Sequence, residues 1–513
     1  MKQTKRPRIL LVSLKTDWVY SSIGLDQMAG YLRQKGYCVD MLYHHTLLKT
    51  EDVMSAIKPG YDVYGFSVTT ENYNCCFEVA SLLRVQQPLA YVVFGGAWAS
   101  RYYQELYDKG CTAHYLVLGD GEIPMENLLR HLFEGERLQT GEHIASPGDT
   151  QGKSMYYNKT IDWLPIFDYY TGYLPQKNGN KIYCLQSKNN ICTGNCSFCP
   201  GRRGRCQYKA DSQIVREISH VANSYGVVNF FFTDDNLFDP DNRMAKDRLK
   251  GLCLAIKAAN LKKIKFSCYA KAISLRDCPE DRELLLLMKE TGFIAIFIGI
   301  EAGNEADLLL YRKRATVADN YRSIEMLREA GIMPLMGFIN FNPYSTKQTL
   351  KENYDFLLAV DPQNLVDSFA KALIVYKYTG IYDKLQRDGL LIDGYEYLDE
   401  ATRWQFLDPS VKTIHDTVEK KLFPLFTNFN KEYQKSLASF NFHKKLNKNA
   451  ARFEGQFEVV YQGQIDAINA YLAKLIENGD EAGFRELDQA CHRSTARLRQ
   501  LDMAMFGIDI PLE

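Results

Sequence analysis

The chain has no net charge: across 513 residues, 62 lysines and arginines balance 62 aspartates and glutamates. That balance gives no general pull towards nucleic acid or an anionic membrane, so neither is expected as a partner, although charge can still gather locally. Long apolar runs are also missing. None approaches the roughly 20 residues of a membrane-crossing helix, and Ile9 to Leu14, behind the basic start Met1 to Arg8, is too short for the core of a signal peptide. There is no internal repeat and no low-complexity tract. The 13 cysteines do not suggest a disulfide framework in so long a chain, and a reducing, cytoplasmic compartment is expected. What is present, 46% hydrophobic and 12% aromatic residues, is enough to bury sizeable cores in two to four domains of an enzyme.

From Arg8 onward, short apolar runs alternate with amphipathic stretches. Strands are predicted at Ile9 to Ser13, Val39 to Tyr43, Val63 to Val68, Tyr91 to Gly95 and Tyr115 to Leu118, with helices between them. This predicts an α/β, doubly wound, Rossmann-like domain over residues 1–140, with ligands bound outside the carboxyl ends of its strands. The loops there include Ser67-Val-Thr-Thr-Glu-Asn-Tyr73, Phe94-Gly-Gly-Ala-Trp98 and Leu118-Gly-Asp-Gly-Glu122, whose glycines let backbone approach a flat or bulky ligand.

Residues 141–180, with Pro147, Pro165, Pro175 and Asn178-Gly-Asn180, read as a linker. A second alternating series then begins, with apolar runs at Ile182 to Leu185, Val227 to Thr233, Ile264 to Tyr269, Phe293 to Ile300, Leu335 to Phe341 and Phe369 to Tyr376. Six strand-helix units predict an open, partial (β/α)6 barrel over residues 181–376, with its chemistry at the carboxyl ends of the strands. Residues 377–513 are mostly helical in pattern and are expected to form a C-terminal cap or substrate domain.

Directly after the first strand of that series stands Ile191-Cys-Thr-Gly-Asn-Cys-Ser-Phe-Cys-Pro200. Three thiolates on one short loop, Cys192, Cys196 and Cys199, can hold a cubane 4Fe-4S cluster by three irons and leave the fourth open. A structural zinc site wants four ligands, usually in two separated pairs, and only Cys206 stands near enough to be a fourth.

The triplet resembles the signature of radical S-adenosylmethionine (SAM) enzymes. The N-terminal loops, together with Gly24-Leu-Asp-Gln-Met-Ala-Gly-Tyr-Leu-Arg33 and Gly36-Tyr-Cys-Val-Asp40, resemble the cobalamin-binding domain that precedes the radical SAM domain in one large subfamily. The resemblance implies that Ser67, Thr69, Thr70, Gly95, Gly96, Gly119 and Glu122 lie near a cobalamin. The Asp-x-His-x-x-Gly motif of many cobalamin proteins is absent. Three N-terminal cysteine positions, Cys38, Cys75 or Cys76, and Cys111, are spaced as in methylthiotransferases, but they fall at a strand start, inside a helix and after a helix rather than at strand ends.

In the second series, the resemblance implies a SAM ammonium or ribose contact for Glu301 and a carboxylate contact for Lys271. Asp234 and Asp235 would orient ribose or substrate. Lys271 stands where relatives commonly have arginine, and Asn340-Phe-Asn-Pro-Tyr-Ser-Thr346 replaces a more usual Gly-x-Pro-Gly-x-Thr. The implied activity is methylation of an unactivated carbon, or phosphorus, of a small-molecule substrate. It would use SAM, the cluster and cobalamin, with electrons from an external donor such as flavodoxin or ferredoxin. Ring contraction, cyclisation or carbon-carbon coupling on the same architecture is the alternative, and a non-catalytic sensor a more distant one.

Overall fold

The short apolar runs become strands because β-branched and aromatic side chains pack well on a pleated surface, and strands buried on both faces need no polar alternation. A computed structural model describes residues 6–14, 23–44, 49–69, 71–138, 143–149, 153–158, 161, 176–177, 180–189, 191–201, 203–239, 241–261, 263–392, 404–446 and 453–505. Two units emerge from the contacts. The first comprises Met1–Thr193, Arg202–Tyr269 and Leu284–Ala295, the second Gly194–Gly201, Ala270–Glu283 and Ile296–Glu513.

In the first unit, β1 (Arg8–Leu14), β2 (Cys38–His44), β3 (Val63–Ser67), β4 (Tyr91–Gly95), β5 (Tyr115–Val117) and β6 (Ile144–Ala145) form a sheet of order β2-β1-β3-β4-β5-β6. The first five strands are parallel, and the order reverses between β1 and β3, the place where open α/β sheets bind ligands. β6 is antiparallel to β5 and comes from the stretch read as a linker; two residues carry too little pattern to be seen in sequence. Ile9, Leu11, Val63 and Val93 on the sheet pack with Leu25, Leu32 and Leu128 from the helices Ile23–Gln34 and Glu122–Glu134.

The same unit holds β7 (Gln176–Lys177), β8 (Asn180–Leu185), β9 (Asn229–Phe232) and β10 (Lys265–Lys271), neighbours in that order, although the last two residues of β10 belong to the second unit. The helices Asp211–Tyr225 and Arg243–Ala258 follow β8 and β9, as the spacing predicts.

Most of β11 (Phe293–Glu301) and all of β12 (Met333–Phe338) lie in the second unit as neighbours. A sixth full strand is expected at Phe369–Tyr376, but the chain there is the end of the helix Leu365–Phe369 followed by one parallel rung, Phe341 to Ala372. The ladder stops because its next donor would be the N–H of residue 343, a proline that has none, and the Leu373 carbonyl accepts Trp404 Nε1 at 3.1 Å instead. Helices Phe423–Leu446, Glu454–Asn478 and Phe484–Met505 confirm the helical C-terminus, and Asn469 ties them to the outer helix Lys347–Val360 by accepting Tyr354 Oη at 3.1 Å. Tyr395 and Tyr397, in the stretch ahead of these helices, lie outside the described residues.

Candidate functional site

At the carboxyl edge of the first sheet, the predicted residues Ser67, Gly95, Gly96 and Gly119 line one cavity of about 90 Å³, together with Gly24 and Met28. The glycines are needed there. Gly96 has φ +101, and a Cβ on it would stand 3.2 Å from Ser67 Oγ; a Cβ on Gly119, with φ +90, would stand 2.1 Å from the Tyr156 carbonyl. Thr69 starts the turn below β3, and Thr70 lies outside the described residues. Glu122, only 4% exposed, opens a helix and accepts Asn158 Nδ2 at 3.1 Å, so its carboxylate holds the strand-end loop from behind.

Two residues that sequence reasoning missed set this edge. Asn72 is 1% exposed; its Nδ2 donates to the carbonyls of Leu14 (2.8 Å) and Ser67 (3.0 Å), and its Oδ1 accepts Thr69 N (2.8 Å). Ser100 donates from Oγ to Gly96 O and accepts Gly119 N, both at 2.8 Å, clamping the β4 and β5 loops together. An Asn or Ser in a loop is a common turn residue, so neither announces such long-range bonds.

The cysteine loop leaves β8 over a base tied by protein bonds. Lys188 and Tyr208 form an antiparallel bridge, and Lys209 N donates to Ser187 O at 2.9 Å. Asp234 is fully buried and its carboxylate accepts Ser187 N at 3.1 Å and Lys188 N at 2.8 Å. Both of its oxygens accept backbone N–H groups, at the residue for which the resemblance implies a ribose or substrate contact. Burial pushes this carboxyl above the usual carboxylate range, opposed by the Lys188 ammonium and these N–H groups. Asp235 beside it is exposed. A second buried acid, Asp239, was not foreseen: it accepts Thr193 N at 3.0 Å and Thr193 Oγ1 at 2.6 Å, next to Cys192, and lies 3.8 Å from the Lys188 ammonium.

Further along the loop, in the second unit, Ser197 anchors the segment between Cys196 and Cys199. Its N donates to Tyr311 O at 2.9 Å, its Oγ to Leu310 O at 2.7 Å, and its carbonyl accepts Ile381 N at 2.9 Å. Cys199 Sγ accepts Gly201 N at 3.3 Å, which fixes the turn after the third cysteine. None of the 13 cysteines is in a disulfide, and Cys192, Cys196 and Cys199 are half-buried.

Glu301 closes β11 with φ +66, a left-handed conformation unusual for a residue with a Cβ. Its Oε1 pairs with Lys313 Nζ at 3.0 Å, the two side chains 13% and 6% exposed. The pair lies over bare backbone, since a Cβ on Gly299 would stand 2.7 Å from Glu301 Oε1 and 2.8 Å from Lys313 Nζ. Lys313 follows 12 residues after Glu301 with no motif to mark it. Lys271 ends β10, half-buried. Behind β11 and β12, Asp307 accepts the amides of Asn304 (2.7 Å) and Asn342 (2.8 Å), while Asn353 donates to Asn340 Oδ1 at 3.0 Å, so the unusual fifth-strand loop is zipped shut by amides.

Two family models match this chain: the B12 binding domain over residues 7–129 and the radical SAM superfamily over residues 187–357. The chain belongs to the radical SAM superfamily. It carries a B12-binding domain ahead of the radical SAM domain, and its cofactors are a 4Fe-4S cluster, S-adenosylmethionine and cobalamin. Among curated proteins it is 23% identical to the anaerobic magnesium-protoporphyrin IX monomethyl ester cyclase of Cereibacter sphaeroides over 80% of this chain, spanning 66% of that relative's length. It is 26% identical to the hopanoid C-2 methylase of Rhodopseudomonas palustris over 39% of this chain and 37% of the methylase. In fold it is similar to the cobalamin-dependent S-adenosylmethionine radical enzyme OxsB, solved with aqua-cobalamin and S-adenosylmethionine bound, at TM-score 0.78 and 15% identity, covering 99% of this chain and 82% of that one.

The residues present fit these groups. A glycine-lined cavity at the switch point of the first sheet accepts part of a large flat cofactor, and three unlinked, half-buried thiols on a braced loop suit an iron-sulfur cluster. No helix among the described residues is long and apolar enough to cross a membrane.

Proposed function

We propose that this radical SAM enzyme is a cobalamin-dependent methyltransferase acting on an unactivated carbon, or phosphorus, of a small molecule. The observation that carries the reading is a buried hydrogen bond of 3.0 Å from Gln27 Nε2 to Gln186 Oε1. Gln27 lies on the helix bordering the glycine-lined cavity, and Gln186 directly follows β8, at the entry to the cysteine loop. A bond between them supports two cofactors working on one substrate, because it ties the corrin-side domain to the strand that feeds the cluster loop.

When bound, the cluster and S-adenosylmethionine supply an adenosyl radical, and cobalamin supplies a methyl carrier. Cys192, Cys196 and Cys199 would hold the cluster. Glu301, paired with Lys313, and Lys271 would hold S-adenosylmethionine, with Asp234 bracing the loop entry rather than touching ligand. Ser67, Thr69, Thr70, Gly95, Gly96 and Gly119 would receive the corrin, with Glu122 behind them. Similarity to a methylase agrees with methyl transfer; similarity to a cyclase over 80% of the chain favours ring formation as the second reading.

The test is anaerobic reconstitution with iron, sulfide and hydroxocobalamin, followed by turnover with S-adenosylmethionine labelled in its methyl group. Cobalt bound with iron, 5'-deoxyadenosine formed, and label carried into a small molecule from a cell extract would support methyl transfer. Deoxyadenosine without label transfer, or iron without cobalt, would move the assignment to the ring-forming reading.

A further inference from the structure

Arg312 occupies a position where the backbone favours glycine. It follows the helix Glu305–Leu310 with φ +53, and the turn is closed by Lys313 N donating to Leu308 O at 3.1 Å. This is the left-handed residue of a Schellman-type helix end, where a Cβ is disfavoured and glycine is the usual occupant. A residue other than glycine held in that conformation is a reason to ask what its side chain does.

The Arg312 side chain turns towards the cysteine loop. Its Nη1 and Ser197 Cβ each lie 3.7 Å from the point where a Cβ on Gly380 would be. Arg312, Ser197 and Gly380 line an open groove of about 410 Å³, whose rim also carries Lys384 and Arg387. Lys384 is paired with Asp388 at 2.8 Å, whereas Arg312 and Arg387 are exposed and make no ion pair among the described residues. In a molecule with no net charge, this groove against the segment from Cys196 to Cys199 is a local concentration of positive charge.

We propose that the groove is the docking surface for an acidic one-electron carrier protein, with Arg312 and Arg387 as its charge contacts and the Ser197 segment as the entry for the electron. The inference rests on the reading that Cys192, Cys196 and Cys199 hold the cluster. One electron leaves the carrier's flavin or iron-sulfur group, which is oxidised, and enters the cluster, which is reduced; no atom is exchanged. Charge complementarity here speeds encounter and fixes orientation.

The experiment uses the reconstituted full chain and an acidic flavodoxin with its flavin as the hydroquinone. Flavodoxin affinity is measured by titration over a range of salt, and cluster reduction is followed by bleaching of its visible absorption. Arg312→Glu and Arg387→Glu are each expected to weaken binding about tenfold at low salt, with a shallower salt dependence, and to slow flavodoxin-driven reduction. Dithionite, which needs no docking, is expected to reduce the variants as it does the parent. Arg312→Gly is the folding control: it relieves the left-handed strain, so it should unfold no earlier than the parent while losing affinity. Variants that bind and accept electrons like the parent, or a parent that binds no flavodoxin at low salt, would overturn the proposal. If dithionite cannot reduce any cluster in the parent, the cysteine reading fails; flavodoxin binding that charge reversal abolishes would still stand by itself.

Discussion

Asn72 spends its whole side-chain amide on the carboxyl edge of the first sheet, joining β1, β3 and the turn at Thr69. Asn72→Ala leaves those buried groups unpaired, and leaving one buried polar group unsatisfied costs about 1–3 kcal/mol. The expected result is a loss of about 2 kcal/mol in urea unfolding together with weaker hydroxocobalamin binding in titration; unchanged affinity would mean that the loops hold their shape without it. At Asp307 burial outweighs the amide bonds and raises the carboxyl's pKa. The unfolded chain loses this proton near pH 3.9, and the folded chain keeps it to higher pH. Between those values the folded state binds more protons, so the group's contribution to stability falls as pH rises from about 4. Urea midpoints for Asp307→Asn should lack that downward slope, apart from a constant offset for lost acceptors, and parallel pH profiles would refute the assignment.

At the scale of the element, the strand-end loops depend on close backbone contact. Asp120 N donates to Tyr156 O at 2.8 Å beyond the carboxyl end of β5, and no side chain fits at Gly119. Gly119→Ala adds left-handed strain and overpacking, together about 2–4 kcal/mol, and should lower the thermal midpoint and the cobalt content after reconstitution. Elements with a strong period were legible in the sequence: the helix Asp211–Tyr225 falls where the apolar spacing predicts it. The strand expected at Phe369–Tyr376 was not, because a helix takes Phe369 and Pro343 on the facing segment has no N–H for the Leu373 carbonyl, which accepts the distant Trp404 instead; a local apolar run reveals none of this. The site divides in the same way. Glycines at strand ends and three cysteines on a loop are local signals, whereas Asp239, Ser100 and Lys313 acquire their roles from partners 46, 19 and 12 residues away.

For the whole molecule, the absence of net charge matters more than any single ion pair. Self-repulsion between copies is weakest where charges balance, so turbidity at low salt should peak near pH 7 and fall as pH moves away from it. Removing iron by chelation should leave the rest of the fold standing, since the base of the cysteine loop is tied by Lys188, Asp234 and Asp239 rather than by metal; far-ultraviolet circular dichroism before and after chelation would check this.

Glu301, Arg312, Arg314 and Tyr378, with φ between 53° and 66°, share one property that bears on anyone who would re-engineer this chain. Redesign for heat tolerance by consensus or by calculation would offer glycine at each, with a gain of about 1 kcal/mol apiece from relieved backbone strain. Two of the four are the residues assigned here to ligand and donor. A heat-tolerant version chosen on melting temperature alone would therefore look like a success in the calorimeter and stand idle in the reaction vessel.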